Sequence, residues 1–219
     1  MDNLDFLFTW ELPKSRRRRR LRPDKPYIET RFDIVTSFRF NSALICQIYN
    51  CTALKADPFS LSYHLGREYD YARPYQHRKS SLYPNLASIK YRPKLGSIEI
   101  LQPPLGTTGP SFACLYAQYK MGNWNSTYYL NRPKVDRGYK FKAVHKDSYQ
   151  HRLQYFQQCL NKLLFKDCII NNNYSVIVFP GYIGCGFSGG DWEDYEPLIA
   201  DFCVKLKCQN PDIHVCIVY

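Results

Sequence analysis

The chain has 219 residues, of which 45% are hydrophobic and 22% charged, a composition typical of a globular protein with a buried core. No apolar run approaches the roughly 18 residues of a membrane-spanning helix. The N-terminal residues also lack the basic start and the long apolar segment of a secretory signal. We therefore expect an intracellular protein, cytoplasmic or nuclear, with no membrane partner.

The net charge of +11 is concentrated near the N-terminus. Residues 14–25, KSRRRRRLRPDK, hold eight basic side chains and one acidic one, so they contribute +7. The arginines of this run are Arg16, Arg17, Arg18, Arg19, Arg20 and Arg22. Because a run of like charges cannot enter a core, we predict an N-terminal arm over residues 1–28 and a folded domain over 29–219. Two interpretations of the arm stay open: a contact with RNA or DNA or a nuclear-targeting signal, or a solvated tail without a partner.

The folded part alternates between predicted strands and predicted helices. In chain order, the pattern predicts an edge strand at 30–38, a buried strand at 42–49, a helix at 57–69, strands at 96–101 and 111–119, a helix at 147–165, a strand at 175–180, a helix at 191–206 and a last strand at 212–219. The predicted N-caps are Asp57, then Asp147 or Ser148, then Asp191. Apolar strands that alternate with helices favour a three-layer α/β/α sandwich with a mixed, mostly parallel central sheet.

Nine cysteines are scattered along the chain without a CxxC pair, and no His/Cys cluster has zinc spacing. We therefore expect reduced thiols, no metal and no other cofactor.

A glycine-rich loop follows the predicted strand at 175–180. The segment VIVFPGYIGCGFSGGDW, residues 176–192, places five glycines within ten residues, directly before a predicted helix. Backbone amides in such a loop, together with the positive end of the following helix, make an anion site, and a diphosphate is the favoured ligand. A tight structural turn is the alternative. Asp191 has two open roles, as the cap of the helix or as a carboxylate beside a ribose.

Several segments in order resemble the macro domain family of ADP-ribose-binding modules, over most of residues 29–219. The glycine loop is similar to the phosphate loop of the family's ADP-ribose-1″-phosphate phosphatase-like branch. TRFDIVTSF at 30–38 is similar to the family's Gly-Asp-Ile opening, with Phe32 where glycine is usual. ALICQIYNC at 43–51 is similar to its apolar strand that ends in Asn. The resemblance implies a macro domain-like fold and ADP-ribose as the ligand.

The resemblance also implies roles for individual residues. Asp33 would accept a hydrogen bond from the adenine amino group, with the Ile34 backbone beside it, and Asn50 with the neighbouring Cys51 would meet the distal ribose. The diphosphate would be wrapped by the amides of Gly184, Cys185, Gly186, Phe187, Ser188 and Gly189.

The implied activity is hydrolysis of ADP-ribose-1″-phosphate or removal of ADP-ribose from proteins. Asn50 and Asp191 would be the catalytic residues, since they would orient a water and the ribose. One departure matters: the first loop, CTALKADPFSLSYHLG at 51–66, has no glycine before Gly66. A non-catalytic ADP-ribose reader, or a nucleic-acid-binding or structural protein that uses the basic arm, is therefore the alternative. The many Asn and Tyr residues with a basic arm are compatible with a viral source.

Overall fold

The computed structural model describes residues 25–31, 33–39, 41–80, 86–124, 147–165, 169 and 174–219. The arginines at 16–22 and Phe32 lie outside these residues. The strands are β1 (Ile28–Thr30), β2 (Ala43–Asn50), β3 (Ile98–Leu101), β4 (Ser111–Gln118), β5 (Val176–Pro180) and β6 (His214–Val218). The helices are α1 (Ile34–Ser37), α2 (Leu61–Glu68), α3 (Tyr149–Leu164) and α4 (Trp192–Gln209), with a 3₁₀ turn at Ile89–Tyr91.

The six strands form one sheet in the order β1-β6-β5-β2-β4-β3. All neighbours are parallel except β3, which runs antiparallel to β4. The predicted mixed, mostly parallel sheet is therefore confirmed. Because the five parallel strands point the same way, their carboxyl ends lie at one edge of the sheet, and ligands of open α/β sheets bind beyond that edge.

The sheet is covered on both faces, as its uniformly apolar central strands require. Leu44 and Leu115 point to the face on which Phe156 of α3 and Phe202 of α4 pack. Side chains of alternate positions, such as Ile45, face the other way and pack against α1 and α2. The chain therefore has the predicted three-layer arrangement.

Two predicted boundaries are wrong. The strand predicted at 30–38 is only Ile28–Thr30, and the chain then turns into α1, where the Ser37 amide donates to the Asp33 carbonyl at 2.9 Å. The helix predicted at 57–69 begins at Leu61, because Ser60 and not Asp57 is its cap. Asp57 instead accepts from the Phe59 amide at 2.9 Å in a local turn that precedes the helix.

The first described residues already contact the domain. Tyr27 is buried and donates a hydrogen bond to Glu196 of α4, and Lys25 pairs with the same carboxylate at 2.9 Å. The contacts of the chain with α4 thus begin ahead of the predicted boundary at residue 28.

Candidate functional site

The glycine loop lies across the carboxyl edge of the sheet. At its start, the Gly181 amide donates to the Val218 carbonyl at the end of β6, at 2.6 Å. Near its end, the Ser188 hydroxyl donates to Gln118, the last residue of β4, at 2.7 Å. Since β2 lies between β5 and β4, the loop passes over the end of β2, where Asn50 is.

Most of the loop glycines are explained by close packing within the protein. A Cβ at Gly181 would lie 2.4 Å from the Tyr219 ring, and one at Gly190 would lie 2.5 Å from the Gly184 carbonyl oxygen. Gly184 and Gly189 have φ of +78° and +69°, which side chains rarely adopt. The structural-turn interpretation therefore accounts for these four glycines, and an anion site has to be argued from the amides instead.

At least three amides of the loop have no acceptor among the described residues and are candidates for binding a ligand. The amides of Cys185 and Gly189 are used internally, to the carbonyls of Tyr182 and Gly186, both at 2.9 Å. Among the described residues, no acceptor is found for the amides of Gly184, Gly186 and Ser188. These donors lie just before the 18-residue helix α4, whose N-terminal end carries a partial positive charge.

Asp191 caps α4, as predicted. Its carboxylate accepts from the Glu193 amide at 3.1 Å, and its own amide donates to the Tyr149 hydroxyl at 3.2 Å. The side chain is exposed beside the loop. The capping role is confirmed, and the capping residue is at the same time exposed to solvent.

Asn50 is buried and holds the first loop. Its Oδ1 accepts from the amides of Thr52 and Ala53 at 3.1 and 2.7 Å, and its Nδ2 donates to the Tyr75 hydroxyl at 3.2 Å. An Asn side chain can accept two hydrogen bonds and donate two. Among the described residues, Asn50 uses both acceptor positions and one N–H, so one N–H is left. The neighbouring Cys51 is fully buried, and burial raises the pKa of its thiol to about 12.

Arg78 also fixes the first loop, although no sequence pattern pointed to it. Its guanidinium is buried and donates to the carbonyls of Ala53 and Asn50 at 2.7 and 3.0 Å. It stacks on the Tyr75 ring at 4.4 Å. The glycine-free first loop is therefore shaped by a side-chain amide and a guanidinium.

Arg152 and Asp147 join the glycine loop to the rest of the site. The two side chains are 2% and 8% exposed and form a bidentate pair at 2.9 and 2.8 Å. The guanidinium also donates to the carbonyls of Ser188, at 3.1 Å, and Gly122, at 2.8 Å. Asp147 accepts in turn from the Tyr119 amide, at 3.0 Å. One buried ion pair thus connects α3, the end of β4 and the glycine loop.

Sequence reasoning missed this pair, although a signal was present. Arg152 lies four positions before Phe156 on α3 and shares its buried face. An Arg on the apolar face of a helix needs an internal counter-charge, and Asp147, considered only as a cap, supplies it. Ser148 is the residue that caps α3, through the His151 amide.

The predicted adenine residues lie at the same edge, after β1. Asp33 is exposed, and Ile34 is buried in the core beneath it. The end of β1 is joined to β6 by the Tyr219 amide, which donates to the Thr30 carbonyl at 3.0 Å. The Tyr219 ring contacts Tyr182 of the glycine loop, with centroids 5.5 Å apart. The structure therefore brings the predicted adenine, ribose and diphosphate residues to one edge of the sheet.

Other site classes find no support in the part of the chain that is described. There, no three His, Cys, Asp or Glu side chains come close enough to hold a metal ion. No helix within those residues combines the length and the apolar character needed to cross a bilayer.

No protein-family model matches the chain, and no curated protein does. Among solved structures, the chain is similar to the macrodomain of Mycobacterium tuberculosis DarG, at 15% identity and a TM-score of 0.46. The alignment covers 88% of this chain and 97% of that one. At so low an identity and TM-score, the function has to be argued from the residues of this chain.

Proposed function

We propose that this chain is an ADP-ribose-binding protein of the macro domain type, with the diphosphate held by the glycine loop. The observation that carries the proposal is the set of available amides at Gly184, Gly186 and Ser188, directly before the N-terminus of α4. Amides at the positive end of a long helix are suited to a diphosphate. Asp33 at the end of β1 would receive the adenine amino group, and the first loop after Asn50 would face the distal ribose.

A narrower proposal is that the bound ADP-ribose is hydrolysed, either as ADP-ribose-1″-phosphate or as a modification on proteins. Water would attack the phosphate or the anomeric carbon, without a metal. The remaining N–H of Asn50 and the exposed carboxylate of Asp191 would orient this water and the ribose. ADP-ribose is the ligand, and no further cofactor is part of the proposal.

A non-catalytic reader is the second candidate, and one observation favours it. The Asn50 side chain already holds three hydrogen bonds to its own loop and to Tyr75. Reorienting it toward a substrate would leave buried amides unpaired, at about 1–3 kcal/mol. Binding by the glycine loop does not depend on the Asn50 side chain, whereas turnover through Asn50 would have only its one remaining N–H unless the side chain reorients.

Titration calorimetry with ADP-ribose tests the binding proposal, and Gly186 offers a matched pair of variants. Gly186 is exposed and does not have a positive φ, so a side chain there does not strain the backbone. Gly186→Asp places a carboxylate where the diphosphate would lie, and Gly186→Asn places a neutral group of equal size there. We expect Gly186→Asp to bind at least about tenfold more weakly than Gly186→Asn, since like charges at a few ångströms cost about 1–4 kcal/mol. No heat at millimolar ADP-ribose with the unaltered protein contradicts the proposal.

Turnover is measured separately, as phosphate release from ADP-ribose-1″-phosphate and loss of label from ADP-ribosylated protein. Asn50→Asp keeps the acceptor for the Thr52 and Ala53 amides and removes the side-chain N–H. Asp191→Asn keeps a good helix cap and removes the charge. If the chain is a hydrolase, Asn50→Asp abolishes turnover and Asp191→Asn lowers it, with ADP-ribose affinity largely kept. Binding without turnover in the unaltered protein identifies a reader.

A further inference from the structure

The segment between Asp70 and Glu99 contains no acidic residue. It holds six basic ones: Arg73, Arg78, Lys79, Lys90, Arg92 and Lys94. The rest of residues 26–219 has sixteen Lys and Arg against fifteen Asp and Glu, so this segment supplies +6 of a net +7. A net charge so unevenly distributed produces a local positive potential rather than a uniformly solvated surface.

Backbone pairing brings two of these lysines together. Ser80 and Ala87 form an antiparallel bridge, and the Ser88 amide donates to the Lys79 carbonyl at 2.9 Å. Lys79 therefore lies beside the 3₁₀ turn that contains Lys90. Both ammonium groups approach the ring of Tyr91, at 5.7 and 6.0 Å from its centroid.

The arginines of the segment already have internal partners. Arg73 pairs with Asp70 at 2.5 Å, Arg78 holds the first loop, and Arg92 donates to the Ala87 carbonyl and the Tyr119 hydroxyl at 2.8 and 2.7 Å. Lys79 and Lys90 are exposed, and among the described residues neither has a carboxylate within ion-pair distance. The ammonium groups of Lys79 and Lys90, which lie beside the Tyr91 ring, are therefore suited to bind an anion from outside the protein.

Apolar and aromatic surface lies between the two charges. Tyr91 is half-buried, and Ile89, two positions earlier, is 78% exposed. Alternation of lysines with an accessible aromatic ring is the combination by which proteins bind single-stranded nucleic acid, since the lysines contact phosphates and the ring stacks on a base. A charged surface that only contacts water does not account for the exposed Ile89 or for the tyrosine ring between the two lysines.

We propose that Lys79, Ile89, Lys90 and Tyr91 form a binding surface for single-stranded nucleic acid, here named the Lys79–Lys90 patch. The patch is separate from the arginine run at 16–22 and belongs to the folded domain. It lies next to the first loop, because the Ala87 amide donates to the Thr52 carbonyl at 2.8 Å and Ala53 bridges Leu86. The inference is independent of ADP-ribose binding.

The test is the salt dependence of binding of a fluorescent single-stranded oligonucleotide to the full chain. Each lysine that contacts a phosphate contributes about 0.7 to the slope of log K against log salt. We expect the double variant Lys79→Gln/Lys90→Gln to lower that slope by about 1.4 and the affinity at 0.1 M salt by about 25-fold. Tyr91→Leu should weaken binding about fivefold or more, since a base loses its stacking partner, and leave the slope unchanged.

Two matched variants of the full chain separate the alternatives. Lys205→Gln/Lys207→Gln removes two exposed lysines from α4, on the opposite face of the sheet, and should leave the slope unchanged within error. Arg17→Gln/Arg18→Gln/Arg19→Gln neutralises part of the arm. The proposal is overturned if only the arm variant changes the slope, if the α4 variant changes it as much as the patch variant, or if no oligonucleotide binds. Binding to vesicles with anionic lipids, in place of oligonucleotide, also overturns it and identifies a membrane surface.

Discussion

Replacing Arg152 by Met should destabilise the protein more than any exposed ion-pair change. The guanidinium is 2% exposed, and each of its five N–H groups has an acceptor: two on Asp147 and the carbonyls of Gly122, Ser188 and Lys120, the last at 3.5 Å. Met fills a similar volume but leaves the Asp147 carboxylate buried without its counter-charge. Breaking a buried pair in this way costs about 3–5 kcal/mol.

Urea unfolding followed by circular dichroism measures this cost, together with the melting temperature. For a chain of this size, 3–5 kcal/mol corresponds to a fall in Tm of roughly 6–20 °C. The double variant Arg152→Met/Asp147→Asn should recover more than about 1 kcal/mol of that loss, because the unpaired charge is gone. Lys205→Met, which breaks the exposed pair with Asp201, is the control and should cost less than about 1 kcal/mol. A loss below about 1 kcal/mol for Arg152→Met, or no recovery in the double variant, would refute the assignment of Arg152 as the buried connection to the glycine loop.

Three further predictions concern the loop and its surroundings. Gly189→Ala should destabilise the protein by about 1 kcal/mol or more and weaken ADP-ribose binding, because φ is +69°, a conformation that is strained for a residue with a Cβ; unchanged urea unfolding would contradict this. Asp191→Ala should cost about 1 kcal/mol in the same unfolding assay, whereas Asp191→Asn should cost little, since Asn is an equally good cap; equal losses would contradict the capping role. Burial raises the pKa of the Cys185 thiol to about 12, so few thiolates form at pH 8. Peptide mass spectrometry after brief iodoacetamide treatment should therefore find Cys185 far less alkylated than the exposed Cys208, and equal labelling would refute the burial argument.

The fold was predictable from the sequence because its strongest signals are long and apolar. The segments that became β2, β4 and β5 are continuous apolar runs, and α3 and α4 have the helical spacing of buried residues. The two wrong boundaries lie in short segments, where few residues carry the pattern of a strand or a helix. Residues 30–38 were predicted as a strand, but the bond from the Ser37 amide to the Asp33 carbonyl is part of a short helical turn. At α2, the sequence prediction placed the cap at Asp57, but Asp57 holds a local turn through the Phe59 amide and Ser60 caps the helix.

The candidate site was less predictable, since its organisation depends on contacts between residues far apart in the chain. The glycine loop and Asp191 could be found because turns and caps leave local patterns. The link between Arg152 and the Ser188 carbonyl crosses 36 positions, and that between Arg78 and the Asn50 carbonyl crosses 28. Neither contact follows from the spacing of residues in the sequence, so a single sequence does not identify the carbonyl that a buried guanidinium contacts.

The contacts that hold the first loop limit what Asn50 can do in catalysis. A glycine-rich loop approaches a ribose with its backbone, which leaves the preceding Asn side chain free to act on the substrate. In this chain, the loop is instead shaped by Asn50 and Arg78, so the residue that the family resemblance makes catalytic is also the one that holds the loop. The Asn50 side chain would therefore have to hold the first loop and act on the substrate at the same time. If Asn50→Asp loses turnover while the urea midpoint is kept, the single free N–H of Asn50 serves catalysis; if turnover is absent from the start, the loop has been kept for binding alone.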